Sequence, residues 1–430
     1  MGVRMAEALL YSRSVPVTET YDVVVVGSGP AGIAAAIGSA RNKAKTLLVE
    51  RYGIVGGNMT VGRVGPLMGK IGKGTLSDKL NTVLGTNTVT GQDFESLKTF
   101  LNNWLIKEGV ELLLQTPVVD VIADGNTVQG LVVASASGPR IIKGACIVDA
   151  SGDGTVAFLA GAEYEQGRDS DGLMQPVSLM FTVAAVDDAT AIDERTGNYY
   201  ARNPDSGYKA LVEKAHTAGE LPNGVSIVRL YRTVRSGECI INATHLCDIS
   251  GISPQDLTRA EIQLRNQIPP ICDFLRHNVD GFQNCYLKDS AETVGVRETR
   301  RIKGEYQLTD TDVLEGRKFN DVVVHDCNFI IDVHNPAGAG QAEDKPVPNY
   351  DIPYRCLIPL KIENLIMAGR CISGTHRANA SFRVMNICLG IGQAAGTAAA
   401  ISALTGTSPR KVDYHIVQKA LTADGVVLFD

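Results

Sequence analysis

Tyr21–Gly32 reads YDVVVVGSGPAG, and this stretch decides the fold. Tyr21–Val26 is a short apolar, β-branched run of strand composition. The turn Gly27-Ser28-Gly29-Pro30-Ala31-Gly32 follows, then IAAAIGSARNK (Ile33–Lys43), of helical composition, then TLLVE (Thr46–Glu50), a second buried strand. Strand, glycine turn, helix and strand in that order open a doubly wound parallel sheet. A pyrophosphate needs backbone N–H groups at a helix N-terminus with no side chain in the way, which gives each glycine a steric role. Glu50 stands eighteen residues after Gly32, at the end of the second strand, where a carboxylate can accept both hydroxyls of a ribose.

Working outward, 92–108 reads as an amphipathic helix, VELLLQTPVVDVIADGNTVQGLVVAS as strand and hairpin, and ACIVDASGDG as a buried strand ending in a glycine turn. From about Gly161 to Asp351 the texture changes: SLMFTV, VSIVRLY and ECIINAT are candidate strands and Pro254–His277 a candidate helix. Polar joints between alternating strands predict a mixed or antiparallel sheet. NLIMAG (Asn364–Gly369) returns to the first texture. The expected architecture is α/β: a discontinuous Rossmann-like domain from 1–160 and 352–430, with an inserted α+β substrate or cap domain at 161–351.

Composition excludes several function classes. The 430 residues carry 41 basic and 47 acidic side chains, a net charge of −6, with no long run of either sign. That is no footprint for a phosphate backbone, so a nucleic-acid partner is not expected. The nine cysteines are scattered without a Cys-x-x-Cys, so no zinc or iron–sulfur set is encoded locally and no metal is expected. A reducing cytoplasm suits them. Residues 1–20 lack the apolar core of a signal peptide and read as a leading arm. Val384–Pro409 carries no charge, but its load of Gly, Ala, Ser and Thr, with Asn386 and Gln393, predicts a helix packed inside the protein and not a membrane span.

The second glycine pair, Gly56-Gly57-Asn58 after Glu50-Arg51-Tyr52, places further close backbone approaches along a cofactor longer than NAD, which points to FAD. From here the sequence resembles the FAD-dependent oxidoreductases related to fumarate reductase and succinate dehydrogenase flavoproteins, in their soluble bacterial branch. The resemblance rests on VVVVGSGPAG, LLVERYGIVGGN, IVDASGDG, VGVRETRRIKGEYQLT, IIDVHNPAG, IPYRCLIPLKIENLIMAGRCISGTHRANASFRVM and GQAAGTAA. It implies a glutathione-reductase-like FAD domain, with Gly27, Gly29, Pro30, Ala31 and Gly32 at the pyrophosphate and Glu50 and Arg51 at the adenosine. It implies Gly56, Gly57 and Asn58 beside the cofactor, the Val118 or Val119 backbone at the adenine, and Ala150 and Gly152 from the IVDASGDG turn. It also implies Gly369 and Arg370 at the ribityl chain, and Gly392-Gln393-Ala394 opening a helix under the flavin's pyrimidine edge. There a helix N-terminus would favour the anionic reduced ring. Relatives with covalent flavin place a histidine in the glycine-pair segment; this chain has Met59 after Asn58, so FAD is expected to be non-covalent.

Candidate catalytic residues fall in three groups. THRANASFR offers His376, Arg377, Asn379 and Arg383; in fumarate-reductase-like enzymes a similar segment contacts the substrate carboxylate, although the spacing here departs from that pattern. Asp332 and His334 alternate along IIDVHN, so they share a face, and a carboxylate can raise the basicity of a histidine. Arg297 and Arg300 could clamp an anion, whereas Arg301 is expected to pair internally with Glu298 or Glu305. His216, His245, His277 and His415 read as structural, and Cys371 and Cys388 as small buried fillers.

No second Gly-x-Gly-x-x-Gly exists, so a separate NAD(P) domain is not expected. The leading expectation is an oxidoreductase that takes a hydride from a small polar metabolite onto flavin N5 and passes electrons to oxygen, a quinone or a protein. The alternatives are a fumarate-reductase-like reductase of an unsaturated acid fed by an external donor, an FAD-carrying electron-transfer subunit, and a flavin hydroxylase. The sequence leaves the oligomeric state open.

Overall fold

The computed structural model describes residues 12–84, 93–193, 198–199, 208–338 and 340–429. Of the expected leading arm, residues 1–11 lie outside the described residues, as does Gln92 at the start of the expected second helix. Val17–Thr20 are already strand, since β1 runs Val17–Val26. α1 (Pro30–Arg41) follows directly, with Gly29 as N-cap and Pro30 in its first turn, where a missing N–H costs nothing. Next come β2 (Thr46–Val49), α2 (Phe94–Lys107), β3 (Glu111–Leu113), the hairpin β4 (Val118–Asp124) with β5 (Thr127–Val133), and β6 (Arg140–Asp149).

The main sheet runs β3-β2-β1-β6-β5-β4. β1 lies parallel to both β2 and β6, so the chain reverses its direction of travel across the sheet at β1. Such a reversal leaves a crevice beyond the strands' C-terminal ends, where α/β sheets place ligands. Leu365–Met367 adds to the same sheet, parallel to β6, so the C-terminal segment completes the nucleotide-binding fold.

A second sheet is antiparallel: β7 (Phe181–Ala184), β8 (Arg229–Arg232), β9 (Cys239–Asn242) and β10 (Tyr286–Ser290), in the order β8-β9-β7-β10. The 25-residue helix α3 (Pro254–Asn278) packs with it. Together they bury a separate apolar core drawn from 177–294 with Phe94. The segment that follows does not share it. Ile302, Leu308, Ile331, Val333 and Tyr350 pack into the first core, so the second core ends well before residue 351.

β11 (Ile331–His334), α4 (His376–Phe382) and α5 (Met385–Thr405) finish the part of the fold that frames the site. Among the described residues α5 is the one helix long and apolar enough to cross a membrane, yet 83% of its most apolar window is buried. It lies against α1 through glycines. A Cβ on Gly392 would stand 2.0 Å from the Ala31 carbonyl oxygen, and one on Gly396 1.9 Å from that of Ala35. Small residues here let two backbones touch.

Candidate FAD site

A cavity of about 340 Å³ opens at the C-terminal ends of β1, β2 and β6, where the loops are tied to one another through backbone bonds. Gly27 N donates to Val49 O at 2.8 Å, Ala150 N to Val26 O at 2.9 Å, and Gly56 N to Ser28 O at 2.8 Å. Gly27 adopts φ +96°, and a Cβ there would strike Ala150 O at 2.6 Å. Gly32 faces inward, where a Cβ would meet Gly27 O at 1.7 Å. Gly29 faces the other way: a Cβ would meet nothing within 4 Å, so open volume begins at its α-carbon. Among the described residues no side chain caps α1, so its first N–H groups and the positive end of its dipole remain for a ligand.

Glu50 is buried, and its Oε2 accepts from the backbone N and hydroxyl of Ser28 at 2.7 and 2.6 Å, while Oε1 accepts from Tyr52 N at 2.9 Å. Those bonds fix the carboxylate at the cavity wall. Across the crevice, Arg370 is held by Asp153 at 3.1 Å and by the Val296 carbonyl. Asp153 also faces Arg51 at 3.6 Å. The far wall comes from the second core, through Gly251, Leu257 and Glu261 and the stretch around Thr293. An uncapped helix start, a side-chain-free glycine wall and an oriented buried carboxylate fit the adenosine diphosphate half of FAD.

A family model for FAD dependent oxidoreductases matches residues 22–421. The chain belongs to that family. This oxidoreductase is similar over 147 residues, at 31% identity, to the tRNA uridine 5-carboxymethylaminomethyl modification enzyme MnmG of Alkaliphilus metalliredigens, covering 27% of this chain and 22% of the relative. It is 25% identical over 150 residues to the thiamine thiazole synthase of Pyrococcus horikoshii, covering 31% of this chain and 58% of that protein. The chain thus spans less than two thirds of either relative. Among solved structures, a geranylgeranyl bacteriochlorophyll reductase-like protein of Thermoplasma acidophilum aligns with TM-score 0.49 at 13% identity, over 94% of this chain and 83% of that one. The flavin-dependent brominase Bmp2 aligns with TM-score 0.47 at 14% identity, over 94% and 83%.

Of the residues expected at FAD in this oxidoreductase, Gly27, Gly29, Pro30, Ala31, Glu50, Arg51, Gly57, Asn58, Val118, Ala150, Gly152, Gly369 and Arg370 line the cavity. Gly32 and Gly56 shape it from behind, and Val119 is half exposed beyond it. The placement of Gly392-Gln393-Ala394 is a correction. These residues do not open a helix; they sit in the middle of α5, fully buried. Gln393 spends its amide on Leu76 N and Asp424, at 2.9 Å each, and Gly392 touches α1. The real start of α5 is Met385, and Arg383, Met385 and Cys388 line the cavity. Cys388 is a buried thiol, its pKa pushed up to about 12 by burial.

The candidate catalytic groups meet beside that helix start. Arg383 donates to the Asp332 carboxylate at 3.1 Å and to the Asp332 carbonyl at 3.0 Å. His334 Nε2 stands 3.5 Å from the same carboxylate. His376 Nδ1 pairs with buried Glu298 at 2.9 Å, and Glu298 also holds Arg301. Gln175, which the sequence did not single out, joins the two groups: its backbone N donates to Glu298 at 3.2 Å and its Oε1 accepts from His334 N at 3.2 Å. Arg297 is anchored to Pro176 O at 2.6 Å.

Burial, then the charge of Arg297, pulls His334 down to about 3, so its imidazole is neutral near pH 7. Burial alone would raise Asp332, but the His334 hydrogen bond and the charges of Arg383 and Arg297 hold it well below the ordinary carboxylate range. Arg297 is lowered to about 10 by burial and then by Arg383.

Three expectations meet a different arrangement. Arg300 lies apart from this cluster, its guanidinium 3.9 Å over the Phe158 ring and bonded to Asp153 O at 3.1 Å. Arg377 is occupied by Glu343 and Asp310. His245, read as structural, is brought within 6.3 Å of the His334 ring and held down to about 4 by burial and Arg297. Nothing in the local ATHLC pattern signals that neighbour, because β11 arrives from far along the chain.

Proposed function

We propose that this FAD-dependent oxidoreductase takes two electrons from a small polar metabolite that carries a carboxylate beside the reacting carbon. When bound, FAD supplies a reversible two-electron acceptor. The carrying observation is Arg383: it lines the FAD cavity, and its Nε is buried with no hydrogen-bond partner among the described residues. Gln175 Nε2 is likewise a buried donor, unbonded among them. A buried donor left without an acceptor costs roughly 1–3 kcal/mol, which an anionic substrate would relieve.

Arg383 and Gln175 would hold the carboxylate, and Arg297 would add positive charge behind it. Asp332 faces His334 Nε2 and so leaves Nδ1 of the neutral ring to accept a hydrogen bond from the substrate hydroxyl and orient it, the proton passing on to solvent as the hydride leaves. The second core, over 177–294, would act as the cap that excludes water from the site. The FAD would be held non-covalently, and the free thiols, eight of nine buried, suit a reducing cytoplasm.

Anaerobic addition of 2-hydroxy acids to the FAD-loaded protein tests this. Bleaching of the flavin by a hydroxy acid but not by the matching alcohol supports the reading. If Arg383→Met bleaches as fast as the parent protein, the assignment fails.

The lowered Arg297 supports a second reading, a fumarate-reductase-like enzyme with an arginine as proton donor to an unsaturated acid. Reoxidation of the reduced protein by such an acid, with no bleaching by any hydroxy acid, would favour it.

A further inference from the structure

A second cavity, of about 210 Å³, opens between the start of α2 and the antiparallel sheet of the second core. Its rim charges are already paired: Arg235 with Asp93 at 2.8 Å and Lys288 with Glu238 at 2.6 Å. The floor is not. Thr182, 3% exposed, has a hydroxyl with no hydrogen-bond partner among the described residues, and Arg63, 9% exposed, has such an Nε. Arg63 reaches within 3.0 Å of Asp289 Oδ1, but that oxygen too is buried without a properly aligned hydrogen bond among those residues. Arg63 also holds φ +47°, a left-handed backbone that residues other than glycine rarely adopt.

Two buried donors and one buried acceptor around a single cavity call for a partner that carries both kinds of group. We propose that this cavity binds a free α-amino acid as its zwitterion, with the carboxylate on Arg63 Nε and the Thr182 hydroxyl and the ammonium group on Asp289. A dianion would face Asp289 and a diamine would face Arg63, so a molecule of one sign leaves a buried like charge opposed. The volume is below the range of about 300 Å³ upward that takes drug-sized ligands, which limits the occupant to a small metabolite. The site is separate from the FAD cavity yet built on its wall. Val61, which lines the FAD cavity, accepts from Glu292 N at 3.0 Å, and Arg63 and Asp289 extend those same two segments into the second cavity.

Calorimetric titration of the FAD-loaded protein with each of the twenty proteinogenic amino acids, with succinate and putrescine as controls of a single sign, tests the proposal. One amino acid or more is expected to bind at one-to-one stoichiometry, and neither control to give saturable heat. Thr182→Val should weaken that binding at least fivefold and Asp289→Asn at least tenfold, with FAD content unchanged in both. If no amino acid gives saturable heat, if a control binds as tightly, or if both variants bind as the parent does, the proposal is overturned.

Discussion

The Glu50 carboxylate accepts both the backbone N–H and the hydroxyl of Ser28, at 2.7 and 2.6 Å, and so ties the end of β2 to the middle of the glycine turn. The turn and the expected ribose acceptor are therefore one unit. Ser28→Ala removes one of the three bonds that orient the carboxylate and leaves those from Ser28 N and Tyr52 N. Hydrogen bonds to charged groups contribute about 1.5–3 kcal/mol, so FAD affinity should fall roughly tenfold or more. Equilibrium dialysis against FAD reads this directly; unchanged affinity would count against the unit.

The contact between α1 and α5 predicts a stability effect with no cofactor in it. Gly392→Ala would place a methyl carbon 2.0 Å from the Ala31 carbonyl oxygen. Ala is otherwise the better helix former by about 1 kcal/mol, so the substitution would stabilise an open helix. Here overpacking, of about 1–3 kcal/mol or more, should win. Thermal unfolding of the apoprotein should show a lower Tm, and a raised one would overturn the close packing.

Two buried imidazoles predict an acid-labile region of the stability profile. His334 is held down to about 3 and His245 to about 4, against an ordinary 6.5, by burial and then by Arg297. Between those values the unfolded chain takes up protons that the folded chain refuses. Stability from this source is therefore whole above about pH 6.5 and is lost as pH falls toward 4. Denaturant titrations across that range should show the decline, and replacing both histidines by glutamine should flatten it. A slope unchanged in the double variant would mean that other groups carry the acid sensitivity.

Arg377 and Arg383 stand six residues apart and should behave differently. Arg377 makes two ion pairs with a third of its side chain exposed, an arrangement that contributes about 1 kcal/mol or less. Arg377→Met should cost little stability and leave substrate reduction of the flavin intact. Arg383→Met should retain FAD but slow that reduction by roughly a hundredfold, the usual scale for losing a buried charged contact. Equal effects in the two would remove Arg383 from the site.

The first half of the FAD site was legible in the sequence because its physics is local. Gly27, Gly29 and Gly32 lie within six residues, and Glu50 ends the very next strand. GQAAGTAA misled because a run of small residues satisfies two needs alike, a helix end near a ligand and a helix pressed on a helix; only the position of Ala31 against Gly392 separates them. Gln175 and His245 were illegible for another reason. The contacts that bring them to the site come from β11 or from Glu298, more than eighty residues along the chain, and neither sits in a local motif. The segment from Ile302 to Tyr350 reads as part of an insertion by its strand texture, yet its apolar side chains bury in the first core.

The central claim, that the volume in front of Gly29 is where the FAD phosphates lie, is tested most directly by FAD titration of Gly29→Ala beside its unfolding curve. At this position a methyl group meets no atom of the described residues within 4 Å, and φ is an ordinary −64°. The apoprotein should therefore unfold within about 0.5 kcal/mol of the parent, as exposed substitutions do, while FAD binding is lost or weakened by orders of magnitude. Binding at parental affinity by the folded Gly29→Ala protein would contradict the account.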